Sequence, residues 1–245
     1  VSLHGHVALV TGGGRGLGRA IVEALSAAGA AAAVLDIDAG AAEAAAAAAR
    51  ACGGRACAVA ADVTNKEQVS AAVERATSDL GAIDILVNNA GIWRHNLLRD
   101  VSEEEWDRVM AVNVKGPLLC AQAVAPSMLA RGAGKIVHIA SIAGIGPGVG
   151  WAAYQTSKAA LIMLGRIQAE EFRERNIQVN VVCPGALRTT MLETIMFVEG
   201  GDYPHALDPA AIARVVLDLI DPFEQSTTGA VVDGAGNSVF ASVAD

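Results

Sequence analysis

The sequence lacks paired cysteines, a long apolar run and any surplus of cations, and each shortage closes off a class of protein. Its four cysteines, Cys52, Cys57, Cys120 and Cys183, are scattered, with no CxxC pair and no histidine at metal-ligand spacing. A disulfide scaffold is excluded, no metal is expected, and the thiols are those of a reduced, cytoplasmic protein. The longest apolar stretch, Ala27 to Leu35, is interrupted by Gly29 and reaches about half of the ~18 residues a membrane span requires. No Lys/Arg-led apolar segment opens the chain, so neither a signal peptide nor a membrane association is expected. Lysine and arginine number 18 against 26 acids, a net charge of −8. A sequence-independent nucleic-acid binder needs the opposite balance, so no nucleic-acid partner is expected.

What is present is small and apolar. Alanine takes 50 positions and glycine 26, and 53% of the 245 residues are hydrophobic against 18% charged. That composition suits a well-buried globular chain of one domain, spanning 1–245, with a core that needs no staple.

Short β-branched runs alternate with longer helical patterns. His6 to Thr11 has strand length and is followed at once by glycines. From Arg15 to Gly29, Leu17, Ile21 and Leu25 fall on one helical stripe. Ala32 to Asp36 is a second strand, and the nearly pure alanine of Ala39 to Ala51 is a crossover helix rather than low complexity. The rhythm continues with strand Arg55 to Ala61, helix Asn65 to Gly81 and strand Ile83 to Asn88. Ser102 then caps a long helix running through Ala130, with Glu104 and Glu105 in its first turn. Strand Lys135 to Ser141, helix Trp151 to Arg175, strand Gln178 to Cys183, helix Pro209 to Asp221 and strand Ala230 to Asp233 complete the chain. Apolar strands joined by helices of ten or more residues predict a doubly wound α/β fold, a parallel sheet with helices on both faces.

Between the first strand and helix lies Thr11-Gly12-Gly13-Gly14-Arg15-Gly16-Leu17-Gly18. Glycines there let a pyrophosphate approach the free N–H groups of a helix N-terminus. The GxGxxG form is absent; what fits is TGxxxGxG on Gly12, Gly16 and Gly18. The second strand ends at Asp36, where a carboxylate accepts from adenosine ribose hydroxyls and repels a 2′-phosphate. Arg15 pulls the other way, since a guanidinium can pair that phosphate. NAD is the expected cofactor and NADP the runner-up. Asp62-Val63 stands where it can meet the adenine amino group, or cap the next helix. Asn88-Asn89-Ala90-Gly91 closes the fourth strand, at the sheet edge where open α/β sheets bind ligands.

Tyr154 and Lys158, four apart on a predicted helix, share one face. An adjacent ammonium lowers the pKa of a phenol, as proton abstraction from an alcohol requires. Ser141 ends a strand thirteen residues earlier and offers a hydroxyl to the reacting oxygen. Asn113 interrupts the apolar part of the long helix, either for a role at the site or to bond its own helix backbone.

Together these motifs resemble the short-chain dehydrogenase/reductase family over essentially the whole chain: TGGGRGLG, Asp62, NNAG, Asn113, Ser141, YQTSK and Pro184-Gly185 stand in that family's order and spacing. The resemblance implies a Rossmann fold, a nicotinamide cofactor, a homotetramer and a Ser141–Tyr154–Lys158–Asn113 tetrad. In it Tyr154 is the acid/base, Ser141 orients the substrate oxygen, Lys158 holds the nicotinamide ribose, and Asn113 holds a proton-relaying water. Gly185 and Leu187 then line the nicotinamide, and Thr189 bonds its carboxamide. The chain departs from the family at Asp233-Gly234-Ala235-Gly236, where Asp-Gly-Gly is common.

The segment 190–208 is expected to be a short lid, made turn-rich by Gly200-Gly201-Asp202-Tyr203-Pro204. Trp93, Trp151, Met191 and Met196 are candidates for an apolar substrate pocket, though each also suits a core or subunit contact. His95 shows no partner in sequence and suits a solvated loop. Arg94 and Arg188 are not assigned to substrate. The expected activity is interconversion of a secondary alcohol and its ketone on a small, mostly apolar molecule. The rival enzyme is an NADPH-dependent 3-oxoacyl-thioester reductase docking an acidic acyl carrier protein through Arg131, Arg166 and Arg173. The rival outside catalysis is a nucleotide-binding scaffold.

Overall fold

The computed structural model describes residues 1–200, 202–221 and 228–239. Seven strands form one sheet in the order β3-β2-β1-β4-β5-β6-β7, every pair parallel. They are β1 (Val7–Thr11), β2 (Ala31–Asp36), β3 (Ala56–Ala60), β4 (Ile85–Asn88), β5 (Gly134–Ile139), β6 (Ile177–Cys183) and β7 (Val231–Asp233). The helices are α1 (Gly16–Ala27), α2 (Ala39–Ala51), α3 (Lys66–Leu80), α4 (Glu103–Met110), α5 (Gly116–Arg131), α6 (Ala152–Phe172), α7 (Thr190–Glu199) and α8 (Pro209–Ile220). This is the doubly wound α/β architecture, a Rossmann fold, that the alternating pattern predicts.

The sheet is covered on both faces, which is why its strands carry no polar alternation. Ala8 and Val10 of β1 join a core with Ile21 and Leu25 of α1 and Ile212 and Val216 of α8. Val7 and Leu9, pointing the other way, join Val69 of α3 and Leu119 and Val124 of α5. Each fully buried aliphatic side chain contributes roughly 1.5–3 kcal/mol relative to exposure. On α2 the buried face is Ala42, Ala45, Ala46 and Ala49 alone, so this helix lies close against its neighbours without large side chains. Asp38, Asn65, Ser102 and Asp208 each cap a helix by accepting a backbone N–H.

Two expectations need correction. The long helix from Ser102 to Ala130 is two helices, α4 and α5, joined by a π-helical turn over Ala111–Lys115. Asn113 stands in the middle of that turn, with its side chain bonded outside its own helix. The segment 190–208 is not turn-rich at its start: Thr190–Glu199 is helical, burying Leu192 and Ile195, and the chain turns at Gly200 with φ 68°. Apolar residues at helical spacing outweigh the glycines that follow them; Gly201 lies outside the described residues. Among the described residues no helix is long and apolar enough to cross a membrane.

Candidate active site

The cleft opens at the carboxyl ends of β1 and β4, neighbours whose chains depart to opposite halves of the sheet. Thr11 stitches the two strand ends together. Its Oγ1 accepts from the backbone N–H groups of Asn89 and Ala90, each at 3.0 Å. Asn89 Nδ2 in turn donates to the carbonyls of Thr11 at 3.0 Å and Gly12 at 3.1 Å. Asn89, a predicted cofactor residue, therefore commits its side chain to shaping the turn, and Thr11 is a site residue that sequence reasoning did not single out. Only glycine fits this crossing: a Cβ on Gly12 would lie 2.9 Å from Ala90 Cα, and one on Gly18 only 2.0 Å from the Gly12 carbonyl. The first turn of α1 has no side-chain cap, leaving its N–H groups for a ligand.

One cleft of about 980 Å³ runs from this turn across the sheet edge. It is lined by Gly12, Arg15, Gly16, Leu17, Gly18, Asp36, Asp62, Val63, Ala90, Gly91, Pro184, Gly185, Leu187 and Thr189, so the predicted cofactor residues meet at one place. Asp36 Oδ2 accepts from Gly14 N and Oδ1 from Asp38 N, both at 3.0 Å, which holds the carboxylate at the cleft wall. Arg15 pairs with Asp38, a partner not anticipated from sequence. Asp62 does not cap α3, a role taken by Asn65; its Oδ1 accepts from Thr64, and Oδ2 lies 3.6 Å from Arg108. Burial, the largest single effect, pushes Asp62 up, but the Thr64 bonds and Arg108 together outweigh it and hold the carboxyl below the usual range. The narrow glycine crossing, the uncapped helix end and the acid beyond it fit a nicotinamide dinucleotide.

Further along the cleft lie Ser141, Tyr154 and Lys158, with Asn113 behind them. Ser141 follows β5; its Oγ accepts from Ala143 N at 3.1 Å and donates to the Pro184 carbonyl at 3.4 Å. Tyr154 and Lys158 are buried on the first two turns of α6, and Lys158 Nζ donates to the Ile139 carbonyl at 2.9 Å while lying 5.7 Å from the tyrosine ring centre. Burial pushes Tyr154 up to about 12, with its hydrogen bond to Ser141 opposing. Burial likewise pulls Lys158 down to about 8. The expected depression of the tyrosine by its ammonium neighbour does not show here: desolvation disfavours the charged form of both groups, and only the Ser141 bond opposes it at Tyr154. Asn113 does not bond within its own helix. Its Oδ1 accepts from Ile92 N, and its Nδ2 donates to the Ile92 carbonyl and to Ser157 Oγ, all at 2.9 Å.

The far end of the cleft is apolar, lined by Trp151, Gln155, Met191, Leu192, Ile195 and Tyr203. Trp151 and Met191, two of the candidates for a substrate pocket, line this end of the cleft. Trp93 does not line the cleft; it is buried behind it, its ring 5.6 Å from that of Trp151, because the chain after Gly91 turns inward to meet Asn113. His95 is not a solvated histidine: it is half-buried, packs at a tilt against Trp93 with ring centres 5.9 Å apart, and lies 3.5 Å from Glu199. Arg94 donates to the Trp93 carbonyl, and Arg188 to the Ala206 carbonyl and to Asp208, so neither is held for substrate.

The comparisons with known proteins agree with this geometry. The short chain dehydrogenase family model matches residues 6–197. The chain is 40% identical over 251 residues to 2-(S)-hydroxypropyl-CoM dehydrogenase 3 of Xanthobacter autotrophicus, covering 97% of this chain and 98% of that protein. It is 36% identical over 239 residues to the 3-oxoacyl-[acyl-carrier-protein] reductase FabG of Vibrio cholerae, covering 94% and 95%. A structure of 7α-hydroxysteroid dehydrogenase, complexed with NADH and 7-oxo glycochenodeoxycholic acid, superposes with a TM-score of 0.90 at 32% identity, covering 97% of this chain and 96% of that one. On fold, motif order and these similarities, the chain belongs to the short-chain dehydrogenase/reductase family and is an oxidoreductase of CH–OH groups that uses a nicotinamide nucleotide.

Proposed function

We propose that this enzyme interconverts a secondary alcohol and its ketone on a small, neutral, mostly apolar molecule, with NAD as its cofactor. The observation that carries the reading is the layout of the cleft. Tyr154 and Lys158 lie between an end bearing Asp36 and an apolar end whose lining, among the described residues, holds no lysine or arginine. Bound nicotinamide supplies the hydride acceptor in oxidation and the hydride donor in reduction. Tyr154 takes the alcohol proton in one direction and returns it in the other; burial keeps the phenol protonated, the form that reduction needs. Ser141 Oγ, set by Ala143 and Pro184, orients the reacting oxygen. Lys158, anchored on Ile139, would hold the nicotinamide ribose and favour the phenolate when Tyr154 ionises. Both Asn113 Nδ2 hydrogens are committed, so the proton-relaying water would bond the remaining lone pair of Oδ1. With the nicotinamide bound, Gly185 and Leu187 would line it and Thr189 would bond its carboxamide.

For NAD the support is electrostatic. Asp36 and Asp38 outnumber Arg15 at the ribose end, and Arg15 is already paired to Asp38. The acyl-carrier-protein reductase reading draws on similarity to the Vibrio enzyme and on Arg131, Arg166 and Arg173. Arg131, however, bonds the Ile83 carbonyl and Asp84, and Arg173 pairs with Glu170, both at the amino edge of the sheet, opposite the cleft. Exposed Met163 and Ile167 on α6 support association into a homotetramer. Four free cysteines suit a cytoplasmic setting.

Calorimetric titration with NADH and, separately, NADPH tests the cofactor. NADH is expected to bind at least tenfold tighter, a gap of about 1.4 kcal/mol, and tighter NADPH would give the thioester-reductase reading its place. Tyr154→Phe is expected to cut turnover by about 10²–10⁴-fold with NADH affinity unchanged. Wild-type turnover in that variant overturns the mechanism.

A further inference from the structure

Glu199, the last residue of α7, joins parts of the molecule that the sheet does not hold together. Its Oε1 accepts from Trp151 Nε1 at 2.5 Å, its Oε2 accepts from the Tyr203 hydroxyl at 3.0 Å, and His95 Nε2 lies 3.5 Å from Oε1. The side chain is 21% exposed. One carboxylate thereby ties the loop after β4, the residue before α6, the end of α7 and the chain beyond it. The base of the lid is pinned separately, by Arg188 N to the Leu207 carbonyl at 3.0 Å and Leu207 N to the Ala186 carbonyl at 2.9 Å. Between these two anchors α7 covers the apolar end of the cleft.

Two of the three groups on Glu199 are walls of that cleft. Trp151 and Tyr203 both line it, and the Trp151 ring packs edge-on against Tyr154 at 5.7 Å between ring centres. An indole N–H and a phenol hydroxyl tied to the same carboxylate leave their ring carbons to face the cavity. Aromatic walls of this kind favour flat apolar rings through offset and edge contacts. Beyond Lys158, which stands at the reacting end beside Tyr154, the charge held by this wall is the Glu199 carboxylate, in a protein of net charge −8, so an anionic group on the far side of the substrate meets repulsion.

We propose that Glu199 is a specificity-determining positioning residue: by holding Trp151 and Tyr203 as an aromatic wall beside Tyr154, it selects uncharged, ring-bearing alcohols and ketones and turns away anionic ones. The proposal rests on the alcohol–ketone reading above for its substrate class and on geometry alone for the clamp.

Its test uses the full-length enzyme, NADH and two matched ketones, acetophenone and 4-acetylbenzoate, which differ by one carboxylate. The wild type is expected to prefer acetophenone by at least tenfold in kcat/KM. Glu199→Ala is expected to raise the acetophenone KM at least tenfold while kcat stays within threefold and NADH affinity is unchanged. Glu199→Gln keeps hydrogen-bonding capacity toward Trp151 and Tyr203 without the charge, so it restores the KM but loses part of the discrimination against 4-acetylbenzoate. An unchanged KM in Glu199→Ala, or a loss in kcat as large as the rise in KM, overturns the assignment. Hydrogen exchange of residues 190–200 provides a readout free of turnover: in Glu199→Ala it is expected to quicken at least tenfold. Should the wild type reduce neither ketone, the alcohol–ketone reading fails on its own. The clamp then stands on quicker exchange in Glu199→Ala or falls on unchanged exchange.

Discussion

At Asp36 one carboxylate holds two backbone N–H groups, from Gly14 and Asp38, and still faces the cleft. That double duty makes the residue stiff, and a stiff charge discriminates better than one free to swing away. Asp36→Asn keeps one carbonyl acceptor and removes the charge that repels a 2′-phosphate. The NADH-over-NADPH preference is expected to fall at least tenfold, measured by titrating both nucleotides; an unchanged ratio would move the discrimination to Arg15 and Asp38. Tyr154 and Lys158 show burial acting with opposite sign on an acid and a base: the phenol rises to about 12 and the ammonium falls to about 8. The spacing of four in the chain reveals that the two share a helical face. It carries no information on how dry that face is, which is what moves both pKa values.

At the scale of elements, the strand-to-helix turn is built from two crossings that tolerate no side chain. Gly18→Ala would drive a methyl to 2.0 Å from the Gly12 carbonyl, in backbone that Asn89 also holds. The expected outcome is loss of at least 100-fold in NADH affinity and about 1–3 kcal/mol of stability, read by titration and by denaturant midpoint with far-UV ellipticity retained. A second element, the π-helical turn at Ala111–Lys115, shows why the helix from Ser102 looked continuous in sequence. Its residues have ordinary helical spacing, and the partner of Asn113 within that turn, the backbone of Ile92 twenty-one residues earlier, is not visible in that spacing. The same holds for α7, where local apolar spacing was outshone by the glycines after it.

For the whole molecule, a buried polar relay crosses the middle of the structure. His138 on β5 is fully buried, its Nε2 2.7 Å from Gln168 Oε1 on α6 and its Nδ1 3.3 Å from Asn88 Nδ2 on β4. Burial pulls its pKa down to about 4, with Lys158 adding to the effect and the Gln168 bond opposing it. A histidine with a lowered folded pKa is neutral in the fold and takes up its proton more readily when unfolded. Between pH 6.5 and 4 the unfolded chain therefore binds more protons, and stability falls as the pH falls. The loss assigned to this group reaches about 3 kcal/mol by pH 4, seen as a falling denaturant midpoint. His138→Gln, though less stable at pH 7, is expected to lose less across that interval; equal slopes would place the acid sensitivity elsewhere.

The sequence by itself determined the sheet, the glycine turn, the acid after β2 and the Tyr154–Lys158 face, because each depends on local spacing or on burial of both strand faces. Motif order was enough to assign the family. The tertiary structure alone decided what the polar side chains do. Asn89 and Thr11 shape the turn, Asn113 holds Ile92, Arg15 pairs with Asp38, Trp93 lies behind the cleft, and Glu199 gathers His95, Trp151 and Tyr203. Except for Tyr203, four residues from Glu199, these partners lie twenty or more residues away along the chain, and hydrogen bonds and burial depend on distance in space. A local pattern can reveal which face a residue occupies; only the packed chain determines what stands opposite it.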